Sequence, residues 1–297
     1  MGKELAAAMP VARHLFQEVD EALKQKLSQL MFEGPEKDLT LTENAQPALM
    51  AVSLAVLRVI ESEGGFRLAD KVAFVAGHSL GEYSALAAAG AIGVADTARL
   101  LKLRGQAMQR AVPVGVGAMA ALLGMELEPA QAIVRAAAQG EVCACANDNA
   151  PGQVVISGHK AAVERAIELA KAQGGKRAML LPVSAPFHCA LMQPAADAME
   201  QALGKVTMAP PMVPVVTNVT AAAESDPDRL RQLLVQQVTG LVRWRESVLY
   251  LKSQGIHELV ELGAGKVLTG LVKRIDKEVA GVAVQSPSEI EALLKAM

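Results

Sequence analysis

Cysteine is scarce in this sequence. Cys143, Cys145 and Cys189 are odd in number and show neither CxxC nor His-paired spacing. A disulfide framework and a zinc site are therefore not expected, no metal ligands are assigned, and a reducing cytoplasm fits best. Aromatics are also few, at 3% of 297 residues, while hydrophobic residues reach 52% and charged ones only 20%. Such a composition suits a helix-rich globular protein built on Ala, Leu and Val, and argues against disorder. No uninterrupted apolar stretch reaches roughly 18 residues, so no membrane span is expected. The opening "MGKELAAAMP" carries Lys3, Glu4 and then Pro10, so it lacks the apolar region of a signal peptide. The formal net charge is -2 and no strongly basic block occurs. Nucleic acid is thus disfavoured as the main partner, because neutralising phosphates needs clustered Lys and Arg. A small charged metabolite or an acidic protein stays open.

What is present is a long chain with alternating helix and strand signals. Its length exceeds one simple domain, so a large domain alone or one carrying an inserted module is expected. The first 63 or so residues read as helices: Pro10 opens "PVARHLFQEVDEAL", and "AQPALMAVSLAVLRVIE" repeats apolar residues at helical spacing. "KVAFVAG" is a short apolar run ending at Gly77, and the helices "LGEYSALAAAGA" and "ADTARLLKLRGQAMQRAV" follow. From about 114 to 183 the order becomes β-α-β-β-α-β, the pattern of a ferredoxin-like module, with turn signals at Glu-Pro, Asn-Ala-Pro-Gly and Gly-Gly. Residues 114–183 are accordingly read as an inserted subdomain, with 1–113 and 184–297 forming the remaining core. After it come a helix from about Cys189, a strand "VPVVTNVT", two helices, a strand "IHELVELG", a helix "KVLTGLVKRI", a strand "GVAVQ" and a last helix.

Gly77-His78-Ser79-Leu80-Gly81 matches the pattern GxSxG between a strand and a helix. The glycines relieve crowding in a tight turn that lifts the serine hydroxyl clear, and the Leu80 amide at the helix start can face a developing oxyanion. The alternative is that Ser79 only caps the helix. A serine nucleophile needs a base, and His14, His78, His159, His188 and His257 are available. His14 and His159 read as surface residues on helix faces, His257 opens a strand, and His78 adjoins Ser79 with its ring directed away. His188 in "VSAPFHCALM" follows a strand and precedes a helix, where it serves either as the base or as a cap. Arg104 shares the apolar stripe of its helix with Leu100 and Met108, so it needs an anion there. That anion is either a structural Asp or Glu or a substrate carboxylate held by the planar fork.

Three weaker signals have simpler explanations. "ELGAGKVLTG" lacks the third glycine of a dinucleotide fingerprint and is expected to shape a turn. Cys189 beside His188 reads as a small buried hydrophobe. Lys176, Arg177, Lys266, Lys273 and Arg274 read as solvated surface.

Taken together, "AQPAL" at 45–49, "GHSLGE" at 77–82, "LRGQAMQ" at 103–109, "NDNAPGQVVISG" at 147–158, "VSAPFH" at 183–188 and "ELGAGKVLTGL" at 261–271 resemble one family over nearly the whole chain. It is the malonyl-CoA:acyl carrier protein transacylases of fatty-acid synthesis, which share a fold with polyketide-synthase acyltransferase domains. The resemblance implies an α/β fold, with an α/β-hydrolase-like core holding a parallel sheet plus the inserted ferredoxin-like subdomain. It implies Ser79 as the acyl-accepting nucleophile, His188 as general base, Arg104 as the clamp for the malonyl carboxylate and Leu80 as an oxyanion donor. Gln237 stands at the position whose backbone carbonyl orients the histidine, and Phe187 resembles the malonyl-selective form of its motif. Malonyl-CoA and the phosphopantetheine arm of acyl carrier protein are the implied substrates, with no bound cofactor. Because acyl carrier proteins are acidic, cationic residues around Lys176 and Lys273 are implied as a docking rim.

The sequence departs from the family at its start. Members begin with a strand and a Gly-Gln-Gly-Ser-Gln loop whose glutamine amide is a second oxyanion donor, whereas "MGKELAAAMP" is similar to the segment just after that loop. An N-terminally shortened form is therefore expected, and loss of one such donor typically costs on the order of 100- to 1000-fold in rate. Two rival readings follow: a serine hydrolase of the same fold, with an acidic third triad member and no use for Arg104, or a weakly active acyl-CoA or carrier-protein binder.

Overall fold

The computed structural model describes residues Met1–Met297. Five helices come first: α1 (Lys3–Ala8), α2 (Pro10–Leu23), α3 (Leu27–Glu33), α4 (Glu36–Leu39) and α5 (Thr42–Gly64). Then follow β1 (Val75–Ala76), α6 (Leu80–Ala88) and α7 (Val94–Arg110). The next six elements are β2 (Gly117–Leu123), α8 (Leu127–Ala138), β3 (Cys143–Ala150), β4 (Gln153–His159), α9 (Lys160–Ala172) and β5 (Arg177–Leu180). The chain closes with α10 (Gln193–Leu203), β6 (Val215–Val216), β7 (Ala223–Glu224), α11 (Pro227–Thr239), α12 (Trp244–Ser253), β8 (Glu258–Leu262), α13 (Val267–Ile275), β9 (Ala280–Val284) and α14 (Pro287–Ala296).

Helix α7 illustrates how pattern becomes packing. Thr97, Ala98, Leu100, Leu101, Arg104, Gly105, Ala107 and Met108 are its buried residues, a stripe at helical spacing that includes the arginine. Gly105 sets the distance to α5, because a Cβ there would stand 2.5 Å from the Glu43 Cα and 2.6 Å from the Thr42 carbonyl oxygen. That close approach puts Gln46 of α5 beside Arg104. Helix α5 has the length and apolarity of a membrane span, but 67% of its most apolar window is buried inside the protein. Leu54 and Val56 of α5 join Leu15, Leu101, Met199 and Leu230 in the main core.

Two β strands are much shorter than their apolar runs predict. In "KVAFVAG" only Val75 and Ala76 form a ladder, parallel to Val215 and Val216. The Val75 N–H donates to the Pro214 carbonyl, but Pro214 has no N–H to extend the pairing toward Ala73. At the far end of "VPVVTNVT" the chain reverses: Ala221 takes φ 51° and donates to the Thr217 carbonyl. The short strand β7 then returns antiparallel to β6, an element the sequence pattern does not announce. Strands β8 and β9 pair in parallel as a separate two-stranded sheet.

Strands β2 to β5 form an antiparallel sheet in the order β3-β4-β2-β5, registered from Gly117 opposite His159 to Leu123 opposite Gln153. Leu122 and Ile156 of this sheet pack with Ile133 of α8 and Ile167 of α9 in a core of their own. The end of β3 ties this unit to the segment before α12: the Asp148 N–H donates to the Val242 carbonyl, and the Asp148 carboxylate pairs with Arg245 at 3.0 Å. His159 is the last residue of β4, where its Nδ1 accepts from the Val142 N–H at 2.9 Å, so it is not the surface helix residue the sequence suggests.

The α5–α7 crossing provides a direct test. Gly105→Ala is expected to lower stability by about 1–3 kcal/mol through overpacking, measured by urea or thermal unfolding; an unchanged stability would show that the crossing relaxes freely.

Candidate active site

Ser79 sits between β1 and α6 with φ 52° and ψ -110°, a conformation rare for a residue with a side chain. Such strain costs on the order of 1–3 kcal/mol and persists only where the surroundings over-determine it. The two flanking glycines contribute unequally. A Cβ on Gly77 would stand 1.9 Å from the Gly81 carbonyl oxygen, whereas one on Gly81 would meet nothing within 4 Å. The Ser79 side chain makes no helix-capping bond. Its Oγ instead lies 2.8 Å from His188 Nε2 and accepts from Arg104 Nη2 at 3.1 Å.

His188 arrives from the loop after β5. This loop lies against β2, where a Cβ on Gly117 would stand 2.2 Å from the Pro186 ring. The imidazole is 4% exposed and Nδ1 lies 2.8 Å from the Gln237 backbone carbonyl in α11. That carbonyl can only accept, so Nδ1 carries the proton and Nε2 presents a lone pair to the Ser79 hydroxyl. Burial, reinforced by the Arg104 charge, pushes the His188 pKa down to about 3 against the opposing bond to Gln237. His188 is thus neutral at ordinary pH and able to take the serine proton.

Arg104 is 1% exposed, and its pairing differs from a structural ion pair. Nη1 donates to Gln46 Oε1 at 2.8 Å and Nη2 to Gln237 Oε1 at 2.8 Å, while Nε has no partner. Neutral amide oxygens satisfy donors without cancelling the charge. The Tyr83 ring faces the guanidinium at 5.6 Å, a cation–π contact. Ser79, His188 and Arg104 line one cavity of about 210 Å³ together with Gln46, Met108 and Phe187. Leu80 also lines it, and its amide, first in α6, has no acceptor within the protein.

Behind this cavity lies a polar layer that sequence reasoning missed. Glu82 is fully buried; its Oε2 accepts from Gln237 Nε2 at 2.7 Å and from the Asn218 N–H at 3.1 Å, and its Oε1 has no partner. Burial pushes its carboxyl up to about 7, opposed by those bonds and by Arg104. The only sequence signal was a lone acid within the small-residue helix after the serine. Gln46 and Asn218 had none of their own.

Other residues fall outside the cavity. His78 turns to Asn149, with Nε2 2.8 Å from its Oδ1. Cys189 donates to the Pro186 carbonyl, and burial raises its thiol pKa. At "ELGAGKVLTG", Gly263 and Gly265 have φ 129° and 91°, and the Glu261 carboxylate accepts from the Leu268 and Thr269 amides. The N-terminus of α13 is therefore already occupied by an acid.

The chain is similar in sequence and in fold to known proteins. Residues 1–288 match the family described as acyl transferase domain. A malonyl CoA-acyl carrier protein transacylase of Escherichia coli K12 is 47% identical over 98% of this chain and 93% of that protein. The crystal structure of an acyl-carrier-protein S-malonyltransferase from Bartonella henselae superposes with a TM-score of 0.97 at 56% identity, covering 100% of this chain and 94% of that one. A type II polyketide malonyl-transacylase solved in complex with its acyl carrier protein superposes at 0.96 with 43% identity, covering 100% and 95%.

Glu82 leaves a signature in stability. Its folded pKa lies above the 4.5 of an ordinary glutamate, so its contribution is fully present below pH 4.5 and lost as pH rises through about 7. In thermal melts from pH 4 to 8, Glu82→Gln is expected to gain on the native protein across that window and then hold a constant offset. A pH-independent difference would mean Glu82 titrates normally.

Proposed function

The chain belongs to the acyl transferase domain family, and from that premise we propose that it transfers the malonyl group of malonyl-CoA to the phosphopantetheine thiol of acyl carrier protein. The supporting observation is a single serine oxygen bonded at once to a neutral histidine and to a buried arginine that has no carboxylate ion pair. A serine hydrolase would place an acid on the far nitrogen of its histidine; here the partner is the Gln237 backbone carbonyl.

The reaction is a two-step acyl exchange. Ser79 Oγ attacks the thioester carbonyl as its proton passes to His188 Nε2, and the Leu80 amide receives the developing oxyanion. The C–S bond then breaks, CoA leaves with the proton from His188, and malonyl-Ser79 remains. The carrier thiol gives its proton to His188 and attacks the ester, and the returning proton restores the Ser79 hydroxyl. Arg104 holds the malonyl carboxylate, and an acyl group without one leaves the guanidinium unpaired. Phe187 walls the cavity beside His188 and limits branching next to the thioester. No bound cofactor enters any step.

The fold reading that accompanies this is an α/β-hydrolase-like core of residues 1–113 and 184–297 with a ferredoxin-like subdomain at 114–183. The sheet order β3-β4-β2-β5 with α8 and α9 packed on it supports the subdomain. Lys176 and Lys273, both exposed, are suited to an acidic carrier protein. A cytoplasmic location suits CoA chemistry and three free cysteines.

Intact-protein mass after brief exposure to malonyl-CoA tests the first step. One malonyl adduct is expected, absent in Ser79→Ala and formed roughly 100-fold more slowly in Arg104→Ala. Equal loading from acetyl-CoA and malonyl-CoA would remove Arg104 from substrate selection. Charge reversal at Lys176 and Lys273 is expected to slow transfer to acyl carrier protein while leaving loading from malonyl-CoA unchanged, and unchanged transfer would discard the docking rim.

A further inference from the structure

Asn218 lies in the reversal after β6, fully buried, and touches neither the cavity nor the Ser79 hydroxyl. Its side-chain amide nevertheless brackets the strained turn. Oδ1 accepts from the Ser79 N–H at 2.7 Å, and Nδ2 donates to the Gly77 carbonyl at 2.7 Å. These are the two backbone groups that leave the end of β1 and enter α6, and neither has a backbone partner. Asn218 is itself fixed on both sides: its N–H donates to Glu82 Oε2 at 3.1 Å, and its carbonyl accepts from the Arg243 N–H at 3.0 Å. One planar amide thus supplies a donor and an acceptor across the turn. Alanine supplies neither, and ionised aspartate supplies only acceptors.

We propose that Asn218 is a positioning residue whose amide clamps Gly77 and Ser79, holding the left-handed Ser79 backbone that aims Oγ at His188 and the Leu80 N–H at the oxyanion. The clamp explains how a residue with a side chain stays at φ 52° in a turn that a Cβ on Gly77 could not enter. It rests on the reading of Ser79 as the acyl-accepting serine. Because Asn218 does not contact the cavity, its loss acts on the rate of acylation and not on substrate affinity.

Asn218→Asp separates this role from general support. The ionised side chain keeps an acceptor for Ser79 but turns an oxygen toward the Gly77 carbonyl; the protonated form restores a donor there. Around it stand Glu82, His78 between the two clamped residues, and Arg104 and His188, the last two reached through Gln237, along with the backbone of Arg243. Because a carboxyl at 218 couples to Glu82, the pH series is repeated in a Glu82→Gln background, where the same recovery at low pH is expected. Single-turnover loading from malonyl-CoA at pH 8 is expected to slow about 100-fold, the effect of a displacement near 1 Å, with the malonyl-CoA concentration that half-saturates the loading rate unchanged. The deficit against native protein is expected to shrink as pH falls. Native-like loading at pH 8, or a loss of rate matched by an equal loss of affinity, overturns the clamp. If Asn218→Asp is too unstable to assay, Asn218→Ser, which reaches only one of the two groups, is expected to load at least tenfold more slowly at native affinity, and unslowed loading overturns the proposal equally. Loading that persists in Ser79→Ala removes the nucleophile reading itself, an outcome the Asn218 variants do not produce.

Discussion

Burying the guanidinium of Arg104 without an ion-pair partner is costly, and the surrounding polar groups offset that cost only in part. Gln46, Gln237 and Ser79 each accept from it, Tyr83 lies against it, and the Glu82 carboxyl approaches it only through the amide of Gln237. Much of the site follows from this one charge. It helps keep His188 neutral, it opposes the protonation of Glu82, and it faces the cavity with no carboxylate paired directly to it.

Gln237 is where these effects meet. Its backbone carbonyl fixes the His188 tautomer, while its side chain accepts from Arg104 and donates to Glu82 and to the Ser79 carbonyl. One residue of α11 therefore couples His188, Arg104, Glu82 and the serine turn. Such networks resist piecemeal change, because removing one member strands several partners in a medium without water. The core of α5, α6 and α7 holds them in place by packing small residues closely.

How much of this was readable in advance depends on the range of the cause. Periodicity within one segment located α5, α6 and α7 and put Arg104 on the buried side of its helix. Strand length at β1 and β6 is not legible in the local apolar runs, because a ladder ends where its partner runs out of donors, and Pro214 is 139 residues from Val75 in the chain. Ser79 and His188 carried local signals, a motif and a loop position. Glu82 offers only a lone acid in a small-residue helix, and Gln46 and Asn218 offer nothing local, since their roles arise only when segments 58 to 155 residues apart converge on one turn. Gln237 acts partly through a backbone carbonyl, which no side-chain pattern can announce, and only the family resemblance pointed to it.

The donor inventory of Arg104 has a consequence for substrate entry. A guanidinium carries five N–H groups, and parallel binding of a carboxylate needs two on adjacent nitrogens. Both hydrogens of Nη2 are engaged with Gln237 and Ser79, and one of Nη1 with Gln46. An incoming acid held by both terminal nitrogens thus arrives by exchange and not by addition, displacing an oxygen of the protein from Nη2. On the proposed reading of Arg104 as the carboxylate clamp, affinity would measure the difference between a carboxylate and the amide or hydroxyl it evicts, so tight capture would be traded for turnover: a group held by substitution is also readily given back.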